Sequence, residues 1–230
     1  MKTDVLEIAH MGLKQMRLHP RNIFDWRVRR EIYKLLNVDS KLLPDRRHQS
    51  LAIQAAEHVL PLYIQTGLDE QLVYQLLEAA RAFTQNRIDI AKVVEIEDAG
   101  YHASQRFGYD FEKDKRNYQA EYAGFAAYKA LVEVRHLIDP WKGIEHLRMG
   151  KPVLRFSGDF HINNWRKGID YTDEEWSKLA AAGDTAAAAA FAYATSAESD
   201  EFVPGKLSEF WEWWVDVALP KALLVQPNAT

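Results

Sequence analysis

The strongest constraint on this chain is the spacing of its apolar residues between Asp4 and Val134, which recur every three or four positions in blocks separated by Pro, Gly or polar joints. That period belongs to helices that turn one face to a core. Ser50 to Ile64 aligns Leu51, Ala55, Val59 and Leu62. A block from Glu70 to Gln85 aligns Leu72, Leu76, Ala79, Ala80 and Phe83. Asp89 can start a third helix carrying Ile90, Val93, Val94 and Tyr101. A fourth, from Asp114, aligns Tyr118, Tyr122, Phe125 and Val132, with Ala123, Ala127, Ala130 and Val134 beside them, and ends before Pro140. Upstream, Asp4 to Leu18 and Asp25 to Leu36 read as helices separated by His19-Pro20, followed by a polar joint from Asn37 to Arg47. Pro61 has no N–H to donate, which predicts a kink or an early stop in its helix. Thr66 and Asp69 stand at capping-box spacing ahead of the Glu70 block. Short connections between such helices favour antiparallel neighbours.

After Gly150 the texture changes. Lys151 to Phe156 alternates like a short strand, and Ser157 to Asp170 reads as loop. Thr172, with Glu175 at the capping-box position, starts another helix. Two Ala-rich segments follow, divided by Gly183-Asp184, and Thr195 to Gly205 is an acidic loop. A last helix from Ser208 carries Phe210, Trp211, Trp213, Trp214, Val217 and Leu219, with Pro220 disturbing its end. The expected fold is therefore all-α or nearly so: a multi-helix antiparallel bundle with a short irregular or β-containing insertion after Gly150. It reads as one domain over 1–230, or as a bundle over 1–148 with a smaller helical subdomain over 151–230.

With 230 residues, 47% of them apolar, the chain is long enough for a sizeable core and too apolar to stay disordered. The absence of cysteine removes disulfides, thiolate chemistry and cysteine zinc sites, and fits a reducing cytosol. No signal-peptide h-region stands at the start, and no run of eighteen apolar residues exists. The Ala-rich stretch from Leu179 to Ala194 comes nearest but is interrupted by Gly183 and Asp184. The expectation is a soluble, cytoplasmic protein with no membrane partner. Charge is unevenly spread. Met1 to Ser50 holds eleven Lys or Arg against six Asp or Glu, a local +5, whereas Asp170 to Thr230 holds three Lys against eleven Asp or Glu, a local -8. An acidic end repels nucleic acid and attracts basic surfaces.

No P-loop, dinucleotide fingerprint, HExxH or G-x-S-x-G motif is present, so no cofactor, catalytic residue or metal ligand is assigned. Weaker constellations remain. Glu95, Asp98 and His102 would share a helix face at ligand-like spacing, or form a solvated one. Asp159 and His161, in a Gly-containing loop, suit either acid–base work or a turn. Glu57 and His58 form either a dyad or a means of satisfying backbone groups near Pro61. Arg27, Arg29 and Arg30 beside Trp26 can touch phosphates, although Asp25 and Glu31 dilute the patch. The aromatic run Trp211, Trp213 and Trp214 covers more than one helix face, so at least one ring is expected at the surface, where Trp makes binding hot spots.

The string Ala56-Glu57-His58-Val59-Leu60-Pro61-Leu62, followed by Glu78-Ala79-Ala80-Arg81-Ala82 and the Ala-rich stretch Ala120 to Ala130, resembles the fifth family of immunity proteins found beside bacterial polymorphic toxins of contact-dependent inhibition systems. The likeness covers Ser50 to Val134. It implies tight binding and neutralisation of a cognate toxin, and carries no binding residue onto this chain. Many such toxins act on nucleic acid and so present basic clefts, which an acidic partner occludes. The expected contact surface is Glu198, Asp200, Glu201, Glu209 and Glu212, with Trp211, Trp213 and Trp214. The alternatives are a hydrolase or metal-dependent enzyme using Asp159 and His161 or Asp98 and His102, and a helical nucleic-acid-binding protein using the basic start.

Overall fold

The computed structural model describes residues 2–18, 22, 24–37, 44–68, 70–136, 184–199, 201 and 203–226. Of these, 76% lie in eight helices, with one two-stranded sheet. The fold is an all-α bundle with a small β element.

Helix α1 (Lys2–Leu18) turns Val5, Ala9, Leu13 and Met16 inward, one residue per turn of a single stripe. Helix α2 (Trp26–Leu36) starts where the Asp25 carboxylate accepts the Arg27 N–H, and buries Val28, Ile32, Tyr33 and Leu36. Asp45 caps α3 (Arg46–Ile64) in the same way through the Arg47 N–H. The helix therefore begins before the Ser50 start that the apolar pattern suggested, because a cap extends a helix through residues that carry no apolar signal. Pro61 does not stop it. The helix runs on to Ile64, with the proline on its exposed side, and the Gln65 N–H reaches the Pro61 carbonyl. Only the final turn bears the missing donor, while the packed turns before it hold the helix together.

Thr66 does not open the next helix. Its hydroxyl donates to the Tyr63 carbonyl and accepts the Leu68 N–H, so it closes the end of α3. Helix α4 (Gln71–Thr84) follows, and α5 (Ile90–Ala103) is capped by Asp89 through the Lys92 N–H. Helix α6 (Tyr118–Arg135) begins later than the Asp114 expected for it. The intervening residues form an antiparallel hairpin, β1 (Tyr109–Asp110) paired with β2 (Lys115–Arg116), and Asn117 caps the helix through the Ala120 N–H. Gly108 enters this hairpin at φ 74, where a Cβ would stand 2.3 Å from the Asn117 carbonyl oxygen, so no other residue fits. The strand expected at Lys151 to Phe156, with the whole insertion after Gly150, lies outside the described residues.

Helix α7 (Thr185–Ala194) and helix α8 complete the core. Helix α8 runs Pro204–Trp213, passes through a π segment (Trp214–Ala218) and ends at Leu219–Leu223. Helices α3 and α6 are the spine. Helix α7 packs against both, α4 and α5 cover one side of α6, and α1, α2 and α8 close the other side of α3. Alanine explains the close fit. Ala123, Ala126, Ala127 and Ala130 of α6 and Ala186 to Ala190 of α7 are all buried, and small side chains let helix axes approach. Larger fully buried residues, among them Leu76, Leu77, Leu131 and Phe210, fill the spaces between, each contributing about 1.5–3 kcal/mol by leaving water. Among the described residues, no helix is long and apolar enough to cross a membrane.

Candidate functional site

The aromatic run of α8 divides. Trp211 and Trp214 are buried. Trp211 stacks on Phe24 with centroids 5.0 Å apart and lies under the Arg29 guanidinium, and Trp214 meets Phe24 and Tyr33 edge-on. Both are core residues, which corrects their expected place at a partner surface. Spacing along α8 sends them inward because it repeats as 207, 210, 211, 214, 215, 218, 219, and every residue in that series is buried. Trp213 falls between the inward rows and keeps part of its surface. It stacks face to face on His58 of α3 at 3.6 Å, and Tyr193 of α7 covers the other side of the same imidazole at 5.5 Å. Half-burial among these rings lowers the His58 pKa, because desolvation disfavours the charged imidazolium. The Tyr193 hydroxyl lies 3.5 Å from the exposed Glu209 carboxylate. Three helices thus build one aromatic platform with an acidic rim.

The other expected acidic contacts are unequal. Glu212 is held by Arg17 of α1 in two hydrogen bonds, at 2.8 and 3.0 Å. Glu198 is exposed and faces Lys115 at 3.4 Å, a surface pair worth little. Glu201 is exposed in the loop before α8, and Asp200 lies outside the described residues.

A second polar constellation sits in the core, and the sequence reading missed it. It surrounds the N-terminus of α7, whose amide groups are buried and require acceptors. Asp184 supplies one through the Ala187 N–H at 2.8 Å, and Glu133 of α6 supplies another through the Thr185 N–H at 2.6 Å. Arg29 of α2 donates to the other Asp184 oxygen at 2.9 Å, and its Nη1 donates to the Phe24 carbonyl. Asn37 orients the neighbouring His48. Its carbonyl oxygen accepts the Asp45 N–H, so its amide nitrogen donates to the Tyr33 carbonyl and to His48 Nδ1 at 2.7 Å. Nδ1 is therefore the acceptor and Nε2 carries the proton, facing Glu133 at 3.7 Å. Burial pushes Lys129 of α6 down to about 7, against the pull of Glu133 and Asp184. Burial also raises the Tyr33 phenol and the Asp184 carboxyl, the latter opposed by Arg29. The only sequence signals for this cluster are an Asp ahead of an Ala run, which is a cap pattern, and Lys129 with Glu133 at i, i+4 in an otherwise small-residue helix. Arg29 gives none, because nothing local pairs it with a residue so distant in sequence.

The remaining candidates disperse. Glu95 is bound by Lys92, and Glu95, Asp98 and His102 all lie exposed on α5. Among the described residues, no group of three His, Cys, Asp or Glu could hold a metal ion. Asp159 and His161 lie outside those residues. Glu57 accepts from Arg81 at 2.7 Å while His58 is sandwiched by rings, so the two do not act as a pair and neither side chain is turned to the backbone at Pro61. The Arg27, Arg29 and Arg30 trio is not a phosphate patch, because Arg29 is fully buried and Arg27 is chelated by Asp25. A comparison with family models and with curated proteins finds no match for this chain.

Proposed function

We propose that this chain is a binding protein that neutralises a toxin, and that the platform of Trp213, His58 and Tyr193 with Glu209 is its contact surface. The observation that carries the reading is the aromatic stack at the bundle's edge. It offers a ring surface, partly open to solvent, built by three packed helices. Exposed Glu209 and Glu201 suit it to a basic partner, since like-signed surfaces repel and opposite ones speed encounter. The π segment that follows Trp213 adds support, because such insertions are frequent at functional sites. The resemblance of residues 50–134 to immunity proteins supplies the partner's class, a toxin with a basic cleft.

The test is co-expression with the product of the neighbouring gene. Restored growth and co-purification are the expected results; a wild-type chain that neither rescues nor binds removes the reading. Within a complex, Trp213→Ala raises the dissociation rate by about tenfold or more, as expected for a hot-spot ring. Reversal of Glu198, Asp200 and Glu201 to Lys slows association at low salt, and an unchanged association rate contradicts the steering role.

A further inference from the structure

We infer that one internal water molecule is a fixed part of this fold, held between His48 of α3 and Glu133 of α6 at the buried start of α7. The two side chains face each other as donor and acceptor without touching. His48 Nε2 carries the ring proton, and Glu133 Oε2 stands 3.7 Å from it, beyond hydrogen-bond length. Neither atom has another hydrogen-bond partner among the described residues, and the two residues are 0% and 1% exposed. The gap does not close by a simple rotation, because each group is anchored at its other end. Asn37 holds His48 Nδ1 at 2.7 Å while Tyr33 stacks on the ring with centroids 4.5 Å apart, and the Thr185 N–H holds Glu133 Oε1 at 2.6 Å. Buried polar atoms left without a partner are rare in folded proteins, and ordered water commonly bridges them.

Size and charge together select the occupant. An oxygen about 2.8 Å from each atom completes a triangle on the 3.7 Å base, so a single non-hydrogen atom reaches both. A cation is turned away by the His48 N–H and an anion by the Glu133 carboxylate, whereas water accepts from the first and donates to the second. Two basic side chains, Arg29 and Lys129, already stand beside the two carboxylates Asp184 and Glu133, so the cluster calls for no further ion. Nor could any group of three His, Cys, Asp or Glu among the described residues hold a metal. The Thr185 hydroxyl supplies a third partner. It is buried, it has no hydrogen-bond partner among the described residues, and it belongs to the residue whose amide already binds Glu133. Three partners are what a buried water ordinarily has. The water ties α3, α6 and α7 at one point, a task independent of any partner protein.

The experiment is solution NMR on the isotope-labelled full chain, with a crystal structure of the same protein as the second measurement. Both use the wild-type sequence, so no variant has to fold. The expected NMR result is a His48 ring locked with its proton on Nε2, and a cross-peak from that proton to water whose sign marks a residence longer than molecular tumbling. In the crystal, ordered density for one oxygen lies within hydrogen-bond distance of both His48 Nε2 and Glu133 Oε2. A ring proton on Nδ1 overturns the inference, and so does a visible Nε2 proton with no water cross-peak. An empty gap, a direct His48–Glu133 hydrogen bond, or density for an ion or a larger molecule between the two overturns it as well. The toxin-binding reading stands or falls separately, by the co-expression test.

Discussion

Helices α5 and α7 make opposite use of their side chains. Nine of the ten residues of α7 are buried, although alanine is the least hydrophobic of the aliphatic side chains, and α5 exposes Ile, Val and Tyr while burying only Val93 and Gly100. Burial here follows volume and position in the bundle before it follows hydropathy. Alanines let α7 slide between α3 and α6, where backbone-to-backbone approach supplies dense packing. Among the described residues, helix α5 packs against α4 and α6, and Ile90, Val94 and Tyr101 keep more than a third of their surface exposed. An interior helix also has its N-terminal amides in the core, which is why fully buried charges gather at α7, whereas the Glu97–Arg135 pair beside α5 stays partly exposed.

The largest test of that contrast is the ion cluster. Asp184→Ala should destabilise the protein by about 3–5 kcal/mol, since it strands the buried Arg29 charge and uncaps α7, measured by urea unfolding. Asp89→Ala, which uncaps α5 at the surface, should cost about 1 kcal/mol. If the two losses are equal, the core setting of Asp184 has no special weight. Next, Ala190→Leu should cost about 1–3 kcal/mol by overpacking, whereas Ala91→Leu on the open side of α5 should be close to neutral.

A smaller effect concerns pH. Burial holds Lys129 at about 7, below its unfolded value of 10.5, so between pH 7 and 10.5 the unfolded chain binds more protons at this residue than the folded one. Stability therefore gains from this group as pH rises through that window, by at most about 1.4 kcal/mol per pH unit, and the gain is absent below pH 7. Lys129→Met should remove the rise; parallel wild-type and variant curves would show that Lys129 stays charged inside. The smallest effect is expected for Val94→Gln on α5, within about 0.5 kcal/mol, because a residue already 44% exposed has little to lose.

Much of the helical layout was legible because it rests on local rules. Asp25 and Asp89 each stand where a cap is needed, and the 3.6-residue period of α3 and α4 marks their inner faces, whereas α6 is buried on every side from Ala120 to Leu131. Where locality ended, the reading erred. The hairpin ahead of α6 has strands of two residues, too short for any alternation to show. Helix α5 carries apolar residues on two faces, and nothing in its sequence tells which face meets α4 and α6. The candidate platform was half visible. The Trp run led to the expectation of a ring at the surface, and Trp213 is half-buried there, but His58 and Tyr193 meet it only because α3, α7 and α8 converge.

From its residues alone the chain is bound to be a helical protein with an Ala-rich interior and an acidic C-terminal side, since propensity, period, capping and charge count are properties of neighbours in sequence. Which Trp is buried, that Arg29 meets Asp184 and that Lys129 loses its ordinary basicity were settled by packing. Those outcomes depend on solvent exclusion and on distances between segments far apart along the chain, and no local pattern encodes either.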